Sequence, residues 1–417
     1  MEKDILGLSL HWKRLRQQLN DTLYINSFFL MLSKLFNTGA GFIFWILAAR
    51  LFSIEDVGLT IAILSTLDLI KMFSTFGFHF SLIRFLPINN NKSSIFFTCL
   101  IITTCTSFIL GALYLLGTYF FSFELVLLRI NTYAAIFLLF AATGSIILIT
   151  GQTFIAIRKS IDLFYQNILM AVRIPILFVL VKLESLGILG SIAIANLIAS
   201  IFSLLRLNCL IGINIKIDKK FINESIRFSF GNYLAEALYV SPTLILPIMI
   251  LKLLGEVDVA QYYIAFAVGN LVLIIPEAMG TSLFVEGSHG KIAKKTIRKT
   301  IIATYALLAP AVLLIYFLGG ISLSLFGKDY FESLNLLRLL VLSSLIVAPF
   351  FLFIPLQNVI MRIDRVILFN LFRFLLILGL SYVFIMQFGT IGIGYAWIVT
   401  HMLLCICIIL PSLQRKC

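Results

Sequence analysis

Twelve long apolar stretches constrain this chain more than any other feature of its sequence. A membrane-spanning helix needs roughly 20 mainly apolar residues, and stretches of that length recur along the chain between short breaks rich in charge, Gly or Pro. With 61% hydrophobic and only 12% charged residues, the 417-residue chain has too little polar surface for a water-soluble protein. We therefore predict an all-α integral membrane protein. The predicted spans are Leu23–Ala49, Val57–Ile83, Ile95–Leu116, Ile130–Gln152, Leu163–Val181, Leu186–Leu205, Ser229–Leu251, Val259–Val285, Thr300–Leu318, Leu334–Met361, Val366–Met386 and Ile391–Leu410.

The basic residues are distributed unevenly between the two predicted faces of the membrane. The formal net charge is +13, and Lys and Arg cluster in every second loop. With a cytoplasmic N-terminus, the inside segments carry 22 of these residues and the outside loops carry five, at Arg50, Arg129, Lys182, Lys252 and Lys328. This asymmetry follows the positive-inside rule. It predicts a multi-pass protein of the cell (cytoplasmic) membrane with both termini in the cytoplasm, and it explains the charge without nucleic-acid binding.

The first residues have no apolar segment suited to a cleavable signal peptide. Apolar side chains fall instead on one helical face, with Lys13, Arg14 and Arg16 elsewhere. That pattern is typical of a helix lying in the membrane interface. We expect such a helix over residues 1–22, on the cytoplasmic leaflet. Its apolar face consists of Ile5, Leu8, Trp12, Leu15 and Leu19.

The chain carries traces of an internal repeat. The segment from Arg50 to Gly58 matches the segment from Lys252 to Ala260, and Gly187–Gly190 matches Gly389–Gly392; both matches have an offset of 202 residues. Six spans per half give both halves the same direction through the membrane, and parallel repeats of this kind enclose a cavity between them. We predict a first six-helix bundle at 23–210, a basic cytoplasmic linker at 211–226 and a second bundle at 227–417.

Several kinds of chemistry have no motif in this sequence. There is no G-x-x-x-x-G-K-[ST] phosphate loop and no H-E-x-x-H zinc motif, and the four histidines are scattered. The outside loops are short, which disfavours a membrane glycosyltransferase, polymerase or ligase. We therefore predict a transporter and not an enzyme, without a cofactor or a metal, in which an ion gradient of H⁺ or Na⁺ or the consumption of product gives direction.

Ionisable residues within the predicted spans are the candidate functional residues. A charge at the centre of a membrane helix costs at least ~2.5 kcal/mol on insertion scales, so it needs a partner or a water-filled cavity. Five cations against three acids leave a positive surplus that suits an anionic substrate, because Arg and Lys bind diphosphates well. The predicted binding residues are Lys34, Lys71, Arg173, Arg338 and Arg373, and the candidates for ion coupling are Asp68, Glu236 and Glu277.

Alternatives remain open for several of these residues. Asp68 and Lys71 are three residues apart on one helix and could simply neutralise each other. Arg338 and Arg373 are placed near span ends, where a long side chain can reach the interface. Four tyrosines of the second half either line the cavity or lie at the membrane interface. These are Tyr233, Tyr239, Tyr262 and Tyr263.

Five segments resemble a known family. The segments are A-R-L-F-S-I-E-D-V-G-L from Ala49, F-G-F-H-F-S-L-I-R-F-L-P from Phe76, R-F-S-F-G-N-Y-L from Arg227, L-F-G-K-D-Y from Leu325 and F-G-T-I-G-I-G-Y-A from Phe388. In order and spacing they are similar to segments of the oligosaccharide (O-antigen-type) flippases, which are polysaccharide biosynthesis exporters of the multidrug/oligosaccharidyl-lipid/polysaccharide (MOP) superfamily.

This resemblance implies a MATE-like fold of two bundles around a central cationic cavity, and alternating access. The implied cargo is a polyprenyl-diphosphate-linked oligosaccharide, flipped to the outer leaflet for a surface polysaccharide such as the O-antigen of lipopolysaccharide. The expected partners are that lipid-linked oligosaccharide, membrane lipids and glycosyltransferases or a polymerase of the same pathway, around a monomer. An ion-coupled multidrug exporter of the same superfamily is the main alternative, and it would need an acidic cavity.

Overall fold

The computed structural model describes residues 22–120, 125–212, 214–288 and 294–414, and these residues are almost entirely helical. The helices are α1 (Thr22–Leu51), α2 (Ile54–Ser74), α3 (Phe78–Phe85), α4 (Lys92–Phe120), α5 (Asn131–Ala156), α6 (Ser160–Ala171), α7 (Arg173–Val179), α8 (Glu184–Ile211), α9 (Lys219–Leu253), α10 (Glu256–Gly269), α11 (Ile274–Ser288), α12 (Lys294–Ser324), α13 (Leu334–Val359), α14 (Ile363–Phe388) and α15 (Ile391–Gln414). Short 3₁₀ turns cover Val126–Arg129, Val181–Leu183, Asn270–Leu273 and Lys328–Ser333. The interfacial helix predicted for residues 1–22 lies outside this part of the chain, except for its last residue.

The prediction of twelve membrane spans is confirmed. Twelve segments of the described residues are long and apolar enough to cross a membrane. Ten spans are formed mainly by one long helix, and two are formed by a pair of helices in line, α6 with α7 and α10 with α11. Helix α3 is too short to span and follows α2. The chain is therefore a multi-pass membrane protein with an all-helical fold.

Both discontinuous spans break within one turn before a proline. Helix α6 ends at Ala171, four residues before Pro175, and the 3₁₀ turn before α11 includes Val272, four residues before Pro276. A proline has no N–H to donate to the carbonyl four residues earlier, and its ring crowds that carbonyl. The two breaks thus lie where these prolines disturb the helical hydrogen bonding.

The second span ends earlier than predicted. We expected a continuous span to Ile83, but α2 stops at Ser74, and the chain turns through Phe76 and Gly77 with φ angles of 46° and 77° before α3 begins. A side chain at Gly77 would place its Cβ 2.8 Å from the Cβ of Ser229. The turn therefore depends on a glycine and brings α3 against α9.

The two halves, α1–α8 and α9–α15, repeat one another, but with an offset that changes along the chain. The start of α2 at Ile54 and that of α10 at Glu256 agree with the predicted offset of 202. In the last hairpin, a Cβ at Gly187 would meet the carbonyl oxygen of Leu180 at 2.2 Å, and a Cβ at Gly392 would meet that of Phe384 at 2.3 Å. Gly187 thus corresponds to Gly392, 205 residues later. The predicted pairing of Gly187 with Gly389 is wrong by one helical turn.

The connection between the halves is shorter than the predicted linker at 211–226. Helix α8 ends at Ile211, and α9 already begins at Lys219. The side chain of Asp218 caps α9, since its Oδ1 accepts a hydrogen bond of 3.0 Å from the backbone N–H of Phe221. Residues 219–226 therefore belong to the first helix of the second half.

Helices α2, α9 and α10 hold the two halves together. Helix α2 packs along both α9 and α10, and a Cβ at Gly58 would lie only 1.8 Å from the carbonyl oxygen of Glu256. Near the same end, the Arg50 Nε donates a hydrogen bond of 2.6 Å to the carbonyl oxygen of Leu325. These contacts close the interface at the end where α1 turns into α2. Toward the other end of the spans, a cavity lies between the halves beside the contact of α3 with α9.

Candidate functional site

The cavity between the halves has three connected lobes. The central lobe, of about 650 Å³, includes residues of α1, α9, α10, α11, α13, α14 and α15. It shares Thr243 and Phe266 with a lobe of about 400 Å³ that extends into the first half, here called the first-half lobe. It shares Tyr239, Glu277 and Phe350 with a third lobe of about 590 Å³. Three asparagines line this third lobe, which we call the amide lobe.

The central lobe opens between α1 and α11. On α1, the lining residues Met31 and Leu35 are 73% and 72% exposed. Lys34 lies between them, and its Nζ is 3.8 Å from the Oε1 of Glu277 on α11. The opening is therefore a gap flanked by exposed apolar side chains, with one loose ion pair across it.

Arg373 is the principal charge of the central lobe. It is 4% exposed and lies near the middle of α14, so its predicted place near a span end is wrong. Its guanidinium lies 4.6 Å from the ring centre of Tyr239, 5.9 Å from that of Phe350 and 5.4 Å from that of Trp397. One amino group donates a hydrogen bond of 2.8 Å to the carbonyl oxygen of Tyr239.

The Nε of Arg373 is buried without a hydrogen-bond partner, and no carboxylate in the described ranges forms an ion pair with this arginine. Three aromatic faces stabilise the cation without cancelling its charge. A buried, uncompensated guanidinium facing a cavity is a strong site for an anion, because both charged groups are poorly screened there.

Arg173 holds a related position in the first half. It begins α7, directly after the break at Val172, and lines the first-half lobe. Its guanidinium lies 4.9 Å from the ring centre of Phe44 on α1, and its Nε is buried without a hydrogen-bond partner. Each half thus contributes one arginine from its fifth span, stacked on an aromatic ring of the first span of that half.

Lys71 and Asp68 line the same lobe and pair with each other. The Lys71 Nζ donates to the Asp68 Oδ1 at 2.5 Å, and both side chains are partly exposed to the lobe. The predicted ion pair is therefore present, and both residues also line the cavity; their roles in binding and coupling stay predictions. Their net contribution to the potential of the lobe is small.

The two remaining predicted acids line the amide lobe. The Oε2 of Glu236 on α9 lies 2.8 Å from the Nε2 of His79 on α3, so this pair links the two halves. Glu277 also borders the central lobe and faces Lys34. Each of the three predicted coupling acids therefore has one basic partner.

Arg338 lies away from the cavity. Its guanidinium is 5.2 Å from the ring centre of Tyr316 on α12, and its Nε lies 3.5 Å from the carbonyl oxygen of the same residue. It is not among the lining residues of the three lobes. We therefore leave Arg338 out of the binding set.

Other lining residues were not singled out from the sequence. Phe350, Trp397 and Asn370 are examples, and His401 packs behind them, with its ring centre 5.6 Å from that of Trp397. Trp397 and His401 are four residues apart on one face of α15, a spacing that could have indicated a polar aromatic stripe. Of the four tyrosines, Tyr239, Tyr262 and Tyr263 line the lobes.

Comparison with solved structures shows the same fold in known transporters. An inward-facing multidrug resistance MATE family transporter of the MOP superfamily matches with a TM-score of 0.68, at 14% identity over 91% of this chain and 94% of that one. The lipid II flippase MurJ in an inward closed conformation matches with a TM-score of 0.65, at 14% identity over 91% of this chain and 87% of that one.

A MOP superfamily transporter from Pyrococcus furiosus, described as having a binding pocket of reverse polarity, matches with a TM-score of 0.55, at 12% identity over 94% and 93% of the two chains. At such low identities the likeness shows the fold alone.

Sequence comparison identifies the family. No curated protein matches the chain significantly. The model of a family described as "Polysaccharide biosynthesis protein" matches residues 23–285, which is well over half of the chain. The chain therefore belongs to the polysaccharide biosynthesis protein family and has the fold of the MOP transporters.

Proposed function

We propose that this protein is a flippase that moves a lipid-diphosphate-linked oligosaccharide across the cytoplasmic membrane by alternating access. One observation carries the proposal: the buried guanidinium of Arg373 faces a cavity of about 650 Å³ without a carboxylate among its ion-pair partners in the described residues. A diphosphate would supply the missing anion, and Arg can bind it through two parallel hydrogen bonds. Arg173 and Lys34 extend the positive lining toward the first half and toward the opening.

The opening between α1 and α11 suits a cargo with a long apolar tail. Met31 and Leu35 flank Lys34 on the lipid-facing side, so a polyprenyl chain could remain in the bilayer while the diphosphate enters the cavity. A soluble anion would not need such an opening. The family membership and the structural likeness to the lipid II flippase MurJ support the same kind of cargo.

Alternating access would have to break the contacts at the closed end of the interface. Those contacts include the approach of Gly58 to Glu256 and the hydrogen bond from Arg50 to Leu325. Energy for the cycle would come from an ion gradient or from consumption of the product, and Asp68, Glu236 and Glu277 are the proposed coupling acids. Neutral isosteres at all three positions should abolish coupling; full transport by that variant would contradict this part of the proposal.

A multidrug exporter of the same fold is the second candidate. Cationic drugs would need several acids without a cationic partner in the cavity, whereas Asp68 is closely paired with Lys71, Glu277 lies near Lys34, and Arg373 has no acidic partner in the described ranges. The charge balance therefore favours an anionic cargo. Glycosyltransferases or a polymerase of the same pathway remain the proposed partners of a monomeric flippase.

The test is mass spectrometry of polyprenyl-diphosphate-linked glycans in cells depleted of the protein, with leaflet accessibility probed by an impermeant reagent. We expect one oligosaccharide lipid to accumulate on the cytoplasmic side. Wild type and Arg338→Gln should both clear it, while Arg373→Gln should not, at equal amounts of protein in the membrane. Depletion without any accumulated glycolipid would overturn the proposal and make drug export the function to test.

A further inference from the structure

The amide lobe differs chemically from the central lobe that it adjoins. Its polar lining residues are Asn232, Asn358, Asn370, Thr281, Glu236 and Glu277, and in the described part of the chain it has no lining Lys, Arg or His. Asparagine, threonine and carboxylate side chains can hydrogen-bond hydroxyl and amine groups. The central lobe therefore suits a phosphate, and the amide lobe suits a polar group without negative charge.

Asn370 leaves one hydrogen-bond acceptor unpaired in the wall of the amide lobe. This residue is 4% exposed, and its Nδ2 donates a hydrogen bond of 2.8 Å to the carbonyl oxygen of Ala235. Because that carbonyl can only accept, the orientation of the amide is fixed, and its Oδ1 is left buried without a partner. An unpaired buried acceptor costs about 1–3 kcal/mol. A ligand hydroxyl or amine would satisfy it.

The aromatic rings that line the amide lobe fit the apolar C–H face of a sugar ring. The rings of Tyr239 and Phe350 are nearly parallel, at 9° with centres 6.5 Å apart, and both residues border the central and amide lobes. Phe80 and Phe351 line the amide lobe as well. Sugar rings present apolar C–H faces and polar edges, so a lobe with aromatic walls and a few placed amides matches them.

The two carboxylates set the charge that this lobe tolerates. Glu236 is bonded to His79 through Oε2 only, and Glu277 has a single loose contact with Lys34 at 3.8 Å. Their side chains are 40% and 55% exposed, so both can reach a ligand in the lobe. A second carboxylate brought beside them would be repelled, since like charges at an interface suppress the wrong partner.

We infer that the amide lobe is a saccharide subsite, which accepts a neutral or amine-bearing sugar next to the diphosphate and rejects a uronate. This inference rests on the proposed function, because the diphosphate is placed at Arg373. Tyr239 and Phe350 border both lobes, so a sugar bonded directly to that diphosphate would enter the amide lobe. Asn370 would then accept a hydrogen bond from a sugar hydroxyl or amine, and Glu236 and Glu277 would accept others.

The test compares three short-chain prenyl diphosphates on the full-length protein in lipid nanodiscs. One carries no sugar, one carries glucose and one carries glucuronate, which differs from glucose only in a carboxylate at the sixth carbon. We expect glucose to be bound at least about tenfold more tightly than glucuronate. In the double variant Glu236→Gln/Glu277→Gln, that preference should fall to within about threefold.

Two further variants test which residues bind the sugar and which cause the preference for glucose over glucuronate. Asn370→Ala should weaken binding of the glucose compound by about fivefold, through loss of one hydrogen bond, and should leave the sugar-free diphosphate unchanged. Glu224→Gln removes an acid of α9 that pairs with Lys220 outside the three lobes, and it should keep the full preference.

The outcomes separate this inference from the proposed function. Equal affinity of the wild-type protein for the two sugars, or a preference that survives the double variant, would overturn the saccharide subsite while binding of the sugar-free diphosphate still supports the flippase. If none of the three compounds binds, the proposed cargo is wrong and the subsite falls with it.

Discussion

Arg373 and Arg173 lie on corresponding spans of the two halves, yet their surroundings differ. Arg373 is 4% exposed, contacts three aromatic rings and has no acidic ion-pair partner in the described ranges. Arg173 is half-buried, contacts one ring and shares its lobe with the paired Asp68 and Lys71. A paired acid lines the lobe of each arginine, Glu277 for Arg373 and Asp68 for Arg173, so the two sites differ mainly in burial and in aromatic contacts. A cation attracts an anion more strongly where water is largely excluded. The second half should therefore supply most of the binding energy.

The largest expected effect comes from neutralising Arg373. Arg373→Gln should weaken binding of a sugar-free prenyl diphosphate by about 100-fold, corresponding to about 3 kcal/mol, because truncating one partner of a buried charge pair costs several kcal/mol. Arg373→Lys should recover only part of the affinity, since an ammonium cannot form two parallel hydrogen bonds. Isothermal titration in nanodiscs would measure both. A loss below threefold for Arg373→Gln would remove the asymmetry between the two halves.

A transplanted arginine tests whether position or surroundings matter. The turn at Arg158 corresponds to the turn at Met361, so Met170 is the first-half counterpart of Arg373, and Met170 also lines the first-half lobe. Arg373→Met combined with Met170→Arg should regain less than about tenfold of the lost affinity, because the rings of Tyr239, Phe350 and Trp397 stay beside position 373 and cannot stabilise a cation at position 170. Thermal unfolding of both variants would verify folding. Full recovery would show that the surroundings of Arg373 are irrelevant.

Neutralising Arg173 should have a smaller effect. For Arg173→Gln we expect binding of the same diphosphate to weaken by about tenfold, as one partly exposed charge-assisted hydrogen bond is lost. Arg338→Gln is the matched control, since it removes an arginine that contacts only Tyr316 of α12 among its described partners. An effect of Arg173→Gln as large as that of Arg373→Gln would mean that the halves contribute equally.

The smallest effect on diphosphate binding is expected for Lys34, at the opening of the central lobe. The side chain of Lys34 is 81% exposed and its contact with Glu277 is loose, so solvent screens its charge. Lys34→Gln should weaken binding by about threefold and act mainly on the association rate, with a weaker dependence on salt. Stopped-flow binding at two ionic strengths would show this. A loss comparable to that at Arg173 would place the diphosphate nearer the opening than we propose.

Much of the charged lining of the cavity was predictable because buried charge is rare in membrane spans. Seven of the eight charged residues selected from the sequence line the cavity, and Arg338 is the exception. The cost of an unpaired charge in lipid forces such residues toward a cavity or a partner. Arg338 has partners outside the cavity: its guanidinium stacks on the ring of Tyr316 on α12, and its Nε donates to the carbonyl oxygen of that residue. Sequence cannot distinguish these two solutions, because the partner lies on another helix.

The sequence by itself determined the twelve spans, the all-helical class and the two similar halves. These follow from local properties: each backbone polar group in lipid must bond within its own helix, so the length of an apolar stretch fixes a span. Segments such as Ala49–Leu59 also predicted the family from the sequence, and the family match over residues 23–285, which includes that segment, confirms membership of the polysaccharide biosynthesis protein family.

Only the tertiary structure decided the turn at Gly77, the corrected pairing of Gly187 with Gly392 and the aromatic surroundings of Arg373. The turn at Gly77 and the surroundings of Arg373 depend on close approach between helices distant in sequence, and the glycine pairing depends on contacts within the last hairpin of each half. Gly77, for example, must lack a side chain because Ser229 lies against it, 152 residues later. Close packing in a membrane interior is set by such contacts between helices. As a result of these contacts, Arg373 faces a cavity, whereas Arg338 packs against α12.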